Sequence, residues 1–489
     1  MANFLTNRAK QRDASEEFAR KYPHHHLSMS DRPDFSRRGF FKLAAAGVTG
    51  SYLMPNLSAA PLVVSNGVTT KNTAKNVIYI HLVGAMSHVD TLDLKVTNGV
   101  TPSTFNPTTV NGIDWPMGLM PKLGDQLGDI AIVRSMSAWA LVHSLAQTWV
   151  QIGRNPAAAL GDIAPNVGSV VALEKANDRR AGQVFPTFIG LNAGAAAGQG
   201  YFPATYAPFQ VAPRVNASGV ANTTNPNGTS SPQATFATMY SRLAQYDGAM
   251  RTQAPYGNSL KDMDSMYQQA RGLMYSPTVD AAFTVSTADS LRYGNGTAAT
   301  GFGNACVLAK QILASDQGTR FIQIDIGSWD HHQNIYTANV LPAMGAQLDN
   351  GLGALIDDLR AAGRLQDTLI IVQGEFGRTP NLSAAAGRDH YLIQSAMFIG
   401  GGVKGGQAIG ATNPVGAQAG GSTVTNFGWA GSGTTGPRMV RPEDIECTMY
   451  SAMGIDWTTV RYDDPFGRGF EYVPFAKVGT YGPINELFT

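Results

Sequence analysis

Six of the nine histidines share one kind of setting: His81, His88, His143, His331, His332 and His390 lie beside Gly, Ser or Asp where short apolar runs end. The other three form the run His24, His25 and His26. Imidazoles gathered at the carboxyl ends of strands are placed to act as metal ligands or as acid and base groups, because that edge of an α/β sheet is where loops converge.

The richest cluster is GSWDHHQN, in which the apolar run ending at Ile326 releases the chain at Gly327 and delivers Asp330, His331 and His332. Neighbouring side chains in an extended stretch point to opposite sides, so Asp330 and His332 can share a side while only one of the two histidines serves as a ligand. In TLIIVQGEFGRTPN the emerging groups are Glu375, a hard-oxygen ligand or general base, and Arg378. Arg378 offers a planar fork for an oxyanion or a salt bridge to a carboxylate. GRDHY then returns Asp389 and His390 towards the same edge. The first apolar run exits at Gly84 and offers Ser87, His88, Asp90 and Asp93, whereas His81 lies inside the run and reads as a core residue. Finally, His143 and Ser144 begin an amphipathic segment, where a helix N-terminus favours an anion and can activate a nucleophile; Ser144 also suits a plain N-cap. Carboxylates and imidazoles from several loops are what one divalent ion above a sheet edge requires.

The elements that must position these groups follow from periodicity. Near-continuous apolar runs at 76–83, 129–133, 186–191, 320–326, 368–372 and 396–401 predict strands buried on both faces, and hence a largely parallel sheet sandwiched by helices. Helices are predicted at 141–153, 164–176, 233–247, 258–274, 303–315, 340–362 and 441–454. Residues 193–232 and 400–437, rich in Gly, Ala, Asn, Thr and Ser, read as long surface excursions. GGGVKGGQ at 400–407 lacks the GK[ST] of a phosphate loop.

With 43% hydrophobic and 15% charged residues and a formal net charge of +1, the chain can bury a large core but has no field for nucleic acid. Ser36-Arg37-Arg38-Gly39-Phe40-Phe41-Lys42 followed by LAAAGVTGSYLM reads as a twin-arginine export signal, with 1–60 as leader and 61–489 as a single α/β domain. The apolar run is too short and mild for a stable membrane span, so a periplasmic or secreted location is expected. Cys306 and Cys447 allow one disulfide or two buried thiols, and without a CxxC any metal falls to His, Asp and Glu.

GAMSHVDTLDLK, GSWDHHQN, GEFGRTP, GRDHY and GGGVKGGQAIGAT, occurring in this order behind the twin-arginine leader, resemble the bacterial family catalogued as domain of unknown function 1501. That family in turn resembles the alkaline phosphatase and sulfatase superfamily, which implies a parallel α/β sandwich with a divalent metal, zinc being the candidate, at the strand ends. The resemblance assigns Asp330, His332 and His390 to one metal position. Glu375 stands where a second-metal carboxylate precedes a histidine, but Phe376 follows it here; the first strand ends Val83-Gly84 rather than in a ligand Asp, and Asp90 comes later. Counting back from Gly153 puts His143 at the nucleophile position, with Ser144 beside it. Neither cysteine heads a C-x-P-x-R sequence, which excludes a formylglycine sulfatase.

The expectation is an exported metal-dependent hydrolase of phosphate or sulfate esters, small or polymeric. Its metal ligands would be Asp330, His332, His390, Glu375 and Asp90. Arg378 would stabilise developing charge, and Ser144, His143 or water activated at the ion would attack. The alternative is a catalytically lapsed relative acting as an exported binding or assembly protein with a protein partner.

Overall fold

Alternating side chains of three adjacent strands divide the interior into two apolar layers. Ile78, Ile80 and Leu82, with Ile322, Ile324, Ile326, Ile370 and Val372, face one core; Val77, Tyr79, Phe321, Leu369 and Ile371 face the other. Both sides of these strands are apolar, so the sheet must be covered twice, as the continuous apolar runs predict. The computed structural model describes residues 62–96, 101–194, 196–215, 221–222, 233–253, 264, 267–268, 271–273, 276–294, 301–413 and 438–488. The twin-arginine motif and most of the 400–437 excursion lie outside these residues, as does most of the helix expected at 258–274. Leu62–Thr489 clusters as one unit.

Nine strands form the main sheet among the described residues. They are β1 (Asn76–Leu82), β2 (Ile130–Ser137), β3 (Phe188–Leu191), β4 (Phe209–Val215), β5 (Ala221–Asn222), β6 (Phe321–Ile326), β7 (Thr368–Gly374), β8 (Ile393–Ile399) and β9 (Gln407–Ile409), in the order β9-β2-β8-β7-β1-β6-β3-β4-β5. Pairings among β7, β1, β6, β3 and β4 are parallel, as is β2 with β9. The interior strand β8 runs antiparallel to both neighbours, β7 and β2. The sheet is therefore mixed and largely parallel.

Two layers of helices cover it. One core takes side chains from α3 (Phe302–Ser315) and α4 (Leu341–Ala361), the other from α2 (Val167–Glu174) and α5 (Pro442–Ala452). Cys306 and Cys447 are buried free thiols in these opposite cores, so no disulfide joins them. The 193–232 stretch is not wholly loop, because β4 forms within it and extends the sheet through parallel pairing with β3. GGGVKGGQ is a structural turn between β8 and β9. A Cβ at Gly401, where φ is +58°, would press on the Leu369 backbone, so the turn needs glycine to pass the sheet closely.

Behind the sheet edge, α1 (His143–Ile152) ends at Gly153 in the left-handed conformation, against α5. The space left by the missing Cβ holds the carboxyl of Glu446, whose two oxygens are buried without a hydrogen bond. Burial, reinforced by Glu443, pushes the Glu446 carboxyl well above the usual range. A raised native pKa stabilises the fold in full at acid pH, and this contribution is lost as pH rises above the ordinary glutamate value. Wild type should therefore lose stability relative to Glu446→Gln between pH 5 and pH 8, as read by urea denaturation at each pH. Parallel pH profiles would refute the assignment.

Candidate metal centre

The connections that leave the sheet at one edge carry nearly all the groups singled out by the sequence. β1, β6 and β7 end there, and antiparallel β8 begins there, so 375–392 leaves and re-enters the sheet on the same side. A short antiparallel ladder, Gly377–Arg378 with His390–Tyr391, sets Arg378 opposite His390. The exit of β1 is drawn in tightly: Gly84 adopts φ +105°, and a Cβ there would lie 2.6 Å from the Asp330 backbone nitrogen. Gly387 likewise lies against the backbone of His332, where a Cβ would be 1.9 Å from its carbonyl carbon.

Four side chains converge at this edge: His143, Asp330, His332 and His390 each offer an atom within 4.8 Å of the others. Asp330 Oδ1 lies 3.3 Å from His143 Nε2, 3.0 Å from His332 Nε2 and 3.6 Å from His390 Nε2, and the last two nitrogens are 3.0 Å apart. Tetrahedral zinc with bonds of roughly 2 Å separates its donors by about 3.3 Å, and these four separations are of that size in a group whose donors all lie within 4.8 Å. Each imidazole is anchored through its other nitrogen. His143 Nδ1 meets Glu375 at 2.7 Å, His332 Nδ1 meets Asp389 at 2.9 Å, and His390 Nδ1 donates to the Leu141 carbonyl at 2.7 Å. Carboxylate or carbonyl partners behind the ring are the usual support of a histidine ligand, since they fix the tautomer and aim Nε2. His143 Nε2 is buried without a hydrogen bond, a polar atom aimed at the cluster centre. Phe376 packs against both the His143 and His390 rings, with centroids 4.8 and 4.5 Å away, and those two rings are 4.4 Å apart.

Glu375 stands behind this group rather than in it. It is fully buried, accepts from Gly84 N at 2.9 Å and Gln147 at 3.0 Å besides His143, and lies 3.5 Å from His81. Burial opposes its ionisation, but the hydrogen bond with His143 and the neighbouring His81 imidazole hold the carboxyl well below the usual carboxylate range. The bond to Glu375 in turn raises the His143 pKa. Asp330 is different in kind. Partial burial would raise its pKa, yet the 2.5 Å bond from Arg378 lowers it, keeping the aspartate charged.

Several expected roles change with this geometry. Arg378 is fully buried and donates to the carbonyls of Gly84, Ala85 (3.1 Å) and Arg388 (3.1 Å) and to Asp330, so its fork is committed within the protein rather than open to an oxyanion. Asp90 is not a member of the four-residue group. It forms a buried pair with Arg388 (2.7 and 3.0 Å) and accepts from Ser87 and Tyr336, which consumes its oxygens. His143, expected at the nucleophile position, aims Nε2 into the cluster. Ser144 is exposed on the first turn of α1, and Val142 rather than Ser144 is the N-cap. His331 is buried apart from the cluster, and its burial depresses its pKa to about 4. His81 is a core residue of β1, as expected. The supporting roles of Phe376, Leu141 and Arg388 have no signature in spacing, although Arg388 sits inside the GRDHY motif.

The family described as Protein of unknown function (DUF1501) matches residues 74–473. The chain belongs to this family. Curated proteins offer no match. Among solved structures, the chain is similar to a protein in the alkaline phosphatase superfamily from Vibrio parahaemolyticus, at 13% identity and a TM-score of 0.35, over 86% of this chain and 76% of that one. It is similar to the PsFucS1 sulfatase from Pseudoalteromonas sp. at 12% identity and a TM-score of 0.38, over 85% and 72%. The alkaline phosphatase from the Antarctic bacterium TAB5 gives 15% identity and a TM-score of 0.30, over 68% and 92%. Likeness at this level says nothing of activity. No helix among the described residues is long and apolar enough to cross a membrane.

The Asp90–Arg388 pair is a structural cross-link, so Asp90→Asn leaves a buried guanidinium without its counter-charge and should cost about 3–5 kcal/mol in chemical denaturation. Loss of bound zinc at unchanged stability would instead return Asp90 to the metal.

Proposed function

We propose that the chain is an exported, metal-dependent hydrolase of phosphate or sulfate esters, with one divalent ion held by His143, Asp330, His332 and His390. The observation that carries the reading is the convergence of three Nε2 atoms and one carboxylate oxygen, with every imidazole braced from behind. Three nitrogens and an oxygen suit zinc better than magnesium or calcium, which favour oxygen donors. When bound, such an ion supplies Lewis-acid stabilisation to an anionic ester.

The protein's own groups divide the remaining work. Glu375 holds His143 in one tautomer and supplies negative charge behind it. Arg378 keeps Asp330 ionised and in place. Ser144 is the exposed hydroxyl beside the cluster and remains a nucleophile for this reading, with solvent water as the other. Twin-arginine export accords with a cargo folded before transport, and the substrate is an ester, small or polymeric, rather than nucleic acid.

A binding or assembly role for a catalytically lapsed relative, with a protein partner, is favoured by one feature. Four protein donors fill a tetrahedral ion, whereas catalytic zinc sites keep a position open. Elemental analysis of the purified protein beside His390→Ala, together with phosphatase, phosphodiesterase and sulfatase assays, decides between the two. The hydrolase reading expects about one zinc per chain and ester cleavage, both lost in His390→Ala; Ser144→Ala keeps the zinc, and its rate reports which nucleophile acts. Zinc without cleavage supports the binding role. No metal after incubation with zinc, manganese, calcium and magnesium removes both metal readings.

A further inference from the structure

The loop between β2 and α1 exposes apolar side chains at the rim of the metal cluster. Trp139, Leu141 and Val142 are 41%, 38% and 61% exposed, in a run of four residues that ends against His143. Loop residues facing water are ordinarily polar, and isolated exposed apolar groups need no explanation. Three within four positions beside a cluster of ligating groups form a patch, and a patch of this kind marks a contact surface.

This loop is fixed although its side chains are open. Ala138 N bonds Leu392 O at 2.9 Å, Arg441 donates to Ser137 and Ala138, and the Leu141 carbonyl holds His390. Trp139 donates its indole N–H to Glu443 at 2.9 Å, stacks on Trp149 at 5.8 Å and lies under the Arg441 guanidinium at 3.9 Å. Beneath lies a small apolar cluster of Ala85, Ala138, Ala146 and Phe376, with Ala140 and Leu392 packed on it. This cluster is buried and backs the loop from within, so the exposed apolar surface is that of Trp139, Leu141 and Val142.

We infer that Trp139, Leu141 and Val142 form a subsite for an apolar group on the alcohol portion of the ester, so that alkyl or aryl esters are preferred over esters of small polar alcohols. The inference rests on the hydrolase reading: the anionic head goes to the metal cluster and the apolar tail lies on the rigid lip. A preordered apolar surface gains affinity with each methylene it covers and spends little on ordering itself.

The test is calorimetric titration of the zinc-loaded protein with methylphosphonate and hexylphosphonate, repeated on Val142→Asn and Leu141→Ser. Val142 is the N-cap of α1, where Asn is favourable, so the first variant keeps the helix start. Leu141→Ser preserves the carbonyl that holds His390. Hexylphosphonate should bind at least tenfold more tightly than methylphosphonate. In both variants that advantage should fall below threefold, while methylphosphonate binding stays the same. Equal affinity for the two phosphonates, or an advantage that survives both substitutions, overturns the lip and leaves the metal site standing. If neither phosphonate binds the zinc-loaded protein, the ester-hydrolase reading falls and the lip with it. Flotation with phosphatidylglycerol vesicles, lost in the variants without any phosphonate effect, would assign the loop to a membrane surface and also overturn the inference.

Discussion

A fully buried guanidinium must be satisfied on every side, and Arg378 meets that demand by tying together segments far apart in sequence. Its donors reach the carbonyls of Gly84 and Ala85 after β1, the carbonyl of Arg388 before β8, and the carboxylate of Asp330 after β6. An unpaired charge in the interior costs several kcal/mol, so the three connections cannot separate without exposing or orphaning it. The positions of Asp330, His332 and His390 follow from this one side chain and from the Gly84 approach that lets the first connection lie against Asp330. A second buried guanidinium, Arg388, repeats the device one layer further out through Asp90 and Tyr336.

The same arrangement sets up a conflict of charges at the cluster. Arg378 lies 3.3 Å from His332 Nε2 and 2.5 Å from Asp330, so a positive group stands beside the place where a cation would sit. Glu375 lies buried on the opposite flank, and Asp330 and Asp389 add negative charge at the mouth. Across this edge three carboxylates face one guanidinium, and the excess is negative, the sign that a divalent ion requires. Coulomb terms of this size depend strongly on how much water the mouth admits, and Asp330 is 46% exposed.

Much of this was legible in the sequence because period and spacing carry it. Runs apolar on both faces gave six strands close to their observed bounds, and glycine at 84, 327 and 374 located the edge where the ligating groups emerge. Asp330 and His332 could be paired by alternation after the Gly327 exit, and the family resemblance added His390 to them. What could not be read was direction. Nothing in IQSAMFI distinguishes an antiparallel strand from a parallel one, since both of its faces are buried. Nor does spacing reveal which carboxylate turns inward. Glu375 and Asp90 have the composition of ligands, but buried cations and imidazoles behind the edge claim them. β4 was hidden inside a polar stretch because few of its residues are apolar, Phe209 and Val211 being the ones that pack on the core.

The four converging residues are far apart along the compact unit, with His143 and His390 about half a chain apart. A small zinc finger binds its ion through neighbouring ligands and lets the metal organise the fold. Here the order is reversed, because closing loops of this length costs chain entropy that only the assembled sheet repays. The polypeptide must reach its final topology before the four atoms meet. An ion bound there would act as a late clasp, slowing unfolding while leaving the rate of folding nearly untouched.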